Sequence, residues 1–301
     1  MKNIFLTAAL VLTLGMCVQA AVFDTITDLG ASARFIAVGG VDGFSRSASS
    51  IFENPAALYR VEQAGVSFFT STLMNEAQYQ QVSLVTETSL GRFGVGYMNV
   101  SVSDIPHTGE DTQNEFYVKS LFDSQNMVLK LAYQNSLAPD LHVGGSLVHY
   151  ETSFYDVAGS GNNADLGLLW VQDWGQVSLA VKNILWDGVV TYGDGKQETV
   201  ATDVVVGYGN RVFEELEVMG QATRRQDDTL LSLGLVYTPS FLPYVSLMGG
   251  YREYLVLGES KNKIAAGLGL HLLSLDFYYA YEKSDHVEFD GKHSFSVDIN
   301  F

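Results

Sequence analysis

The sequence closes on His293-Ser-Phe-Ser-Val-Asp-Ile-Asn-Phe301, and the reading of this stretch decides the fold. Phe295, Val297, Ile299 and Phe301 fall on one face; Ser294, Ser296, Asp298 and Asn300 fall on the other. Alternation of period two is the mark of a strand. A fully apolar strand face needs an apolar solvent, which is either a protein core or a lipid bilayer.

The same alternation recurs upstream. From Val61 onward the chain reads as about fourteen strands of about ten residues each, the length a tilted strand needs to cross a bilayer. They run over 65–73, 78–87, 91–102, 126–134, 141–153, 165–171, 175–183, 200–210, 214–224, 229–238, 243–252, 263–272, 275–283 and 292–301. In the third, Phe93, Val95 and Tyr97 oppose Arg92, Gly94, Gly96 and Met98; in the tenth, Leu231, Leu233, Leu235 and Tyr237 share a face. The connections sort by parity. Those after even strands are short (88–89, 136–140, 172–174, 211–213, 239–242, 273–274), whereas the long ones, 103–125 and 184–199, follow odd strands. A barrel with an inside and an outside accounts for this; a soluble sandwich has no reason to sort its loops. Aromatic residues gather near strand ends, among them Trp170, Trp174, Trp186, Tyr208 and Tyr237, as suits the two membrane interfaces.

Composition agrees. Hydrophobic residues make up 47% of 301 and charged residues 17%, the latter below the roughly 25% of soluble domains. Beyond the N-terminus no apolar run reaches the about 18 residues of a membrane helix. Residues 1–20 read as a cleaved secretory signal: Lys2, an apolar stretch from Ile4 to Val18, then Val18-Gln19-Ala20. The single cysteine, Cys17, lies within it, so the remaining chain has no disulfide and needs another restraint, which a closed ladder supplies. The net charge of −17 argues against a nucleic-acid partner.

Residues 21–60 do not alternate. Gly39-Gly40 is small and flexible, 47–52 suggests a short helix, and Asn54 before Pro55 favours an extended or turn geometry. The expected domains are therefore a signal (1–20), an N-terminal plug or periplasmic arm (21–60) and a barrel (61–301).

At this point the chain resembles a known family. Gly30-Ala-Ser-Ala-Arg34, Gly39-Gly40 and Ala48-Ser-Ser-Ile-Phe-Glu-Asn-Pro-Ala-Ala-Leu58 look like the N-terminal hatch of FadL-like outer-membrane proteins, and more closely the PorV/PorQ branch. Asp104-Ile-Pro106, Asp165-Leu-Gly-Leu168 and Val181-Lys-Asn183 add to the likeness, which spans most of the chain after the signal. It implies an all-β, transmembrane antiparallel barrel of about 14 strands with an internal plug in the outer membrane of a Gram-negative-type bacterium. Gly39, Gly40, Asn54, Pro55 and Ala56 are then expected at the plug or gate. Passive uptake of hydrophobic or amphipathic molecules such as fatty acids is the implied function; the alternative is a type IX secretion component binding a secreted client. Implied partners are outer-membrane lipids, a hydrophobic small-molecule ligand, secretion-system proteins and the barrel-assembly machinery, with Phe301 as the assembly signal.

Charged positions opposite apolar ones are expected to line the lumen: Arg92, Lys182, Glu215, Glu217, Arg252, Asp276 and Glu282. No histidine sits in a metal-ligand spacing, and no cofactor motif is present. His142 and Ser146 share a strand face about 13 Å apart, too far to share a proton; a cross-strand Ser–His pair depends on the register. The expectation is a protein that is not an enzyme and carries no metal or cofactor.

Overall fold

The structure, a computed structural model, describes residues 23, 26, 28–73, 76–110, 115–185, 189–256, 259–286 and 290–301. The signal segment with Cys17, and Trp186, lie outside the described residues. Sixteen strands are described: β1 Ala64–Leu73, β2 Ala77–Thr88, β3 Gly91–Glu110, β4 Phe116–Ala138, β5 Leu141–Phe154, β6 Val157–Gln172, β7 Gly175–Lys182, β8 Val189–Tyr192, β9 Gln197–Thr199, β10 Asp203–Phe213, β11 Leu216–Arg225, β12 Asp228–Tyr237, β13 Val245–Val256, β14 Glu259–Leu272, β15 Leu275–Ser284 and β16 Lys292–Asn300.

Fourteen of them close into an antiparallel barrel. Each pairs with its sequence neighbour, β7 passes directly to β10, and β16 returns to β1 with Phe68 opposite Val297. The short β8–β9 hairpin stands outside this ring and pairs with β6 through Gly159 and Ser160. Closure leaves the ring without a free edge, so its ladder is satisfied without disulfides.

The opening strand behaves as its alternation predicts. Lys292, Ser294, Ser296 and Asp298 are buried inside, while Phe295 is 52% exposed on the outer face. Leu84, Val95, Leu131, Leu147, Val206, Leu233 and Leu268 continue that exposed apolar belt around the barrel. Trp174, in the turn between β6 and β7, packs on Trp170 and Tyr208, an aromatic group at the short-turn end. No helix among the described residues is long and apolar enough to cross a membrane; the strands have the crossing length.

Two expected loops are ordered as strand. Residues 103–110 and 116–125 continue β3 and β4, paired through Ile105–Phe122 and Glu110–Phe116. Their period is broken by bulges near Asp104, which has φ 59°, and between His107 and Thr108, so the alternation fades from the sequence while the ladder persists. β4, with 23 residues, runs to about twice the crossing length and projects beyond the barrel. The 184–199 segment contains β8 and β9.

The hydrophobic core is supplied by the chain before β1. Leu29, Ile36, Val38, Val41, Phe44, Ile51 and Leu58 are buried in one cluster with inward side chains such as Tyr79, Met98, Val128 and Met248. This inner segment holds a one-turn helix, α1 (Ala33–Ala37), capped by the Ser32 hydroxyl accepting from the Phe35 N–H at 3.1 Å. Two 3₁₀ turns follow, Ala48–Phe52 and Pro55–Arg60. The first is the short helix expected at 47–52.

Candidate functional site: the contact between inner segment and barrel wall

Close approach comes first, because the inner segment must fit against pleated backbone. Gly39 has φ +71°, and a Cβ there would lie 2.5 Å from the carbonyl oxygens of Leu233 and Tyr251. Glycine alone meets both demands. Its neighbour Gly40 sits beneath the Arg252 side chain. The Gly39-Gly40 pair thus ends α1 against β12 and β13, with both N–H groups donating back to Ile36 and Phe35 carbonyls.

Asn54 is the second anchor. Its Oδ1 accepts from the Ala56 N–H at 3.0 Å, capping the 3₁₀ turn that Pro55 begins. Its Nδ2 donates to Ser178 Oγ at 3.0 Å and to the Leu179 carbonyl at 3.1 Å on β7. One side chain therefore both shapes the segment and ties it to the wall. Pro55 and Ala56 press against Gly144 of β5, where a Cβ would meet the Pro55 carbonyl carbon at 2.5 Å.

Ion pairs complete the attachment, in the half of the barrel nearer the long hairpins. Asp28 accepts from Arg225 at 2.7 and 3.1 Å and from Arg252 at 2.8 Å; its carbonyl oxygen also accepts from Arg252. Asp42 pairs with Lys182 at 2.7 Å. Lys292 donates to the Leu29 carbonyl at 3.0 Å and, with Lys263, flanks Glu282 at 3.2–3.3 Å. On the wall itself, Arg225 also holds Asp203, and Lys130 holds Asp165. Burial opposes the charge on Asp28, but Arg225 and Arg252 overcome it and hold the carboxyl at about 2. Glu53 is the opposite case. Burial pushes its carboxyl up to about 7, although the Ser45 hydroxyl donates to it, and its Oε2 has no hydrogen-bond partner among the described residues. A polar cavity of about 50 Å³ remains between segment and wall, bordered by Asp28, Asp42, Glu53, Lys182, Arg225 and Arg252.

The expected lumen residues divide by position. Lys182, Arg252 and Glu282 join the ionic belt described above. Arg92 lies at the short-turn end, donating to the Val61 carbonyl at 2.6 Å and pairing with Glu87. Asp276 pairs with His271 at 2.7 Å, and His271 reaches Ser246 at 3.1 Å. Tyr278 and Ser246 Oγ both crowd the position a Cβ on Gly269 would take, and Ser246 itself is 2% exposed. The cross-strand register left open by the sequence thus creates a serine–histidine–aspartate chain whose serine is buried and whose histidine and aspartate are partly exposed. Glu217 is half-buried near the same end, and Glu215 stands in the β10–β11 turn, where its carboxylate accepts from the Ser240 N–H at 2.7 Å. Asp28, Asp42, Arg225 and Lys292 escaped the sequence reading. Arg225 and Lys292 share the inward parity of Gln221 and Ser294, a usable signal; Asp28 and Asp42 lie where nothing repeats. No group of His, Cys, Asp and Glu suited to a metal ion occurs among the described residues.

These features define an antiparallel barrel of outer-membrane type whose interior is filled by its own N-terminal segment. Solved structures of the same fold agree. The toluene transporter TbuX of Ralstonia pickettii superposes with a TM-score of 0.61 over 90% of this chain and 98% of that one, at 12% identity. The toluene transporter TodX of Pseudomonas putida gives 0.58 over 89% and 96%, at 14% identity. At such identities the likeness is one of fold. No protein-family model matches the sequence, nor does any protein of curated function.

Proposed function

We propose that this chain is a passive outer-membrane channel for hydrophobic or amphipathic small molecules, gated by its inner segment. The supporting observation is the filled lumen. Residues 28–61 pack into the barrel on apolar side chains yet are fixed to the wall through a few ion pairs and Asn54. The polar cavity between segment and wall is small, and a molecule passes when that segment shifts. The fold shared with two toluene transporters supports an apolar cargo. Fatty acids remain the finer proposal, carried by the family resemblance. Deleting residues 30–58 tests the gate: chain-dependent uptake of an apolar probe by whole cells should change. Uptake that stays the same for every apolar probe refutes gating.

A second reading, a PorV/PorQ-like secretion component, draws on the projecting β3–β4 ribbon. Phe116, Tyr117, Val118 and Leu121 are exposed on it, and β4 pairs with β5 only as far as Ser124. The free edge of residues 116–123 can accept an extended client strand. Co-purification of a secreted client supports this reading; a barrel that always purifies alone counts against it. In either case the lipid-facing belt, Phe301 as the handle for barrel assembly and removal of residues 1–20 belong to the proposal.

A further inference from the structure

The β8–β9 hairpin is not a member of the ring, yet it lies over its interior. Gly159 and Gly161 of β6 share the inward parity of Asn163 and Asp165. A Cβ on Gly159 would meet the Tyr192 ring at 2.8 Å, and one on Gly161 would collide with the Val189 carbonyl oxygen. The hairpin therefore rests on the inward face of β6, where β5 and β6 project beyond the crossing length. The chain arrives there because its exit from β7 is tied to β6. Asp165 Oδ1 accepts from the Asn183 N–H at 3.0 Å, the Ala164 carbonyl from the Ile184 N–H at 2.9 Å and Asn163 Oδ1 from the Leu185 N–H at 2.9 Å. The hairpin is amphipathic: Val190 is fully buried in the same apolar cluster as Phe23, Tyr150 and Val200, whereas Thr191 and Gln197 are exposed. Its body is lightly held. Among the described residues, β8 pairs with β6 at Gly159–Tyr192 and Ser160–Thr191, and the Gly193 N–H donates to the Ala158 carbonyl at 2.9 Å.

We propose that β8–β9 is a lid on the outer mouth of the barrel and that an apolar molecule enters beneath it. The proposal rests on the uptake reading and adds a second closure, at the end of the path away from the short turns. Two short strands held by so few bonds open far more readily than the ring. Lifting them bares Val190 together with the apolar groups it covers, Tyr150 and Val200 among them. An apolar molecule that shields this surface from water binds the open state and not the closed one, so it shifts the lid toward opening. A polar solute has no such differential affinity. Thr191 and Gln197 keep the outer side of the closed lid wetted. Gly159 and Gly161 are the device that lets the lid seat, since a side chain at either position would hold it away from β6.

Two measurements on the full-length chain in intact cells test the lid, and the sequence has no cysteine beyond Cys17 to interfere. Ser160→Cys with Thr191→Cys places a disulfide across the pair that joins the hairpin to β6. Oxidation with copper-phenanthroline, confirmed by gel shift, should lower uptake of N-phenyl-1-naphthylamine about tenfold or more, because a locked lid removes the open state. Dithiothreitol should restore it, and Thr191→Cys alone should keep the parent rate under the same oxidant. Val190→Cys then reports the lid without reference to uptake, since Val190 is fully buried beneath it. Adding Gly161→Ala, whose methyl group displaces the Val189 carbonyl, should accelerate maleimide labelling about tenfold or more, the range of ordinary coupling factors. Heat-modifiable gel mobility confirms an intact barrel in each variant. Full uptake by the cross-linked chain, or labelling that Gly161→Ala leaves unchanged, overturns the lid and leaves the uptake reading standing. A parent chain that takes up no apolar probe overturns the uptake reading, and the lid as an entry port falls with it.

Discussion

Replacing Asp28 by asparagine removes one negative charge where the inner segment meets β11 and β13. The carboxyl titrates at about 2 in place of an ordinary 3.8, because two arginines outweigh the burial that would raise it. That difference corresponds to about 2 kcal/mol of preference for the charged form. Removing one partner of a buried pair typically costs about 3–5 kcal/mol. Asp203 stays behind to hold Arg225, which places the loss toward the lower end, about 2–4 kcal/mol. Hydrogen exchange reads it directly. The amides of Ile36, Val38, Gly39 and Gly40, bonded within and just after α1, should exchange about 30- to 1000-fold faster, at 1.36 kcal/mol per tenfold. The pH dependence has a defined sign. A depressed carboxyl contributes stability that is fully present above its unfolded value and is lost as pH falls through the folded one. Wild-type protection should therefore weaken between about pH 4 and pH 2, a window in which the Asp28→Asn variant stays flat. Unchanged protection of these amides in an intact barrel would refute the claim that Asp28 anchors the segment.

Four further outcomes are expected. Glu53→Gln should strengthen the segment at pH 8 and leave it unchanged at pH 4. The buried carboxyl, pushed up to about 7, is penalised progressively as pH rises from about 4.5 to 7, reaching about 3 kcal/mol; equal exchange rates at both pH values contradict this. Asn54→Ala loses a cap and two bonds to β7 and should lower local protection of the Ala57 and Val61 amides by about 2–3 kcal/mol. Leu233→Arg places a charge on the outer belt, where it should cost about 2–4 kcal/mol in denaturant-dependent folding into lipid; a neutral effect would remove Leu233 from the membrane-facing surface. Deleting Phe301, exposed at the end of β16 with its N–H donating to the Ala64 carbonyl at 2.9 Å, should slow insertion into membranes more than it alters uptake by the molecules that do insert.

The strands were legible because one physical rule repeats along them: inward groups meet water or partners, outward groups meet hydrocarbon. Phe295 against Ser296, and Leu233 against Ser232, carry that rule without any knowledge of neighbours. Where a bulge intervenes, as at Asp104, the rule loses phase, and 103–125 reads as a loop although it is paired throughout most of its length. The inner segment was recognisable from what it lacks, together with Gly39, Gly40, Asn54 and Pro55. Its ionic attachments were not. Asp42 and Lys182 are joined by tertiary placement, and no spacing in the sequence announces such a pair. Glu215 shows the reverse error, a two-residue boundary: counted as strand, it belongs to the turn and serves Ser240.

The seam between β1 and β16 has a consequence for how the molecule is made. β1 follows immediately on the inner segment, and its partner β16 comes after every other strand of the ring. Until Phe68 finds Val297 and the seam zips, the barrel is an open sheet with two reactive edges. Once the seam has closed, the segment can enter only through an end of the ring, so it is most directly enclosed while the sheet is still open. Contacts this distant in sequence form late and slowly. Asp28, Asp42 and Asn54, which hold the segment in the finished protein, make those contacts only when β7, β11 and β13 stand around it.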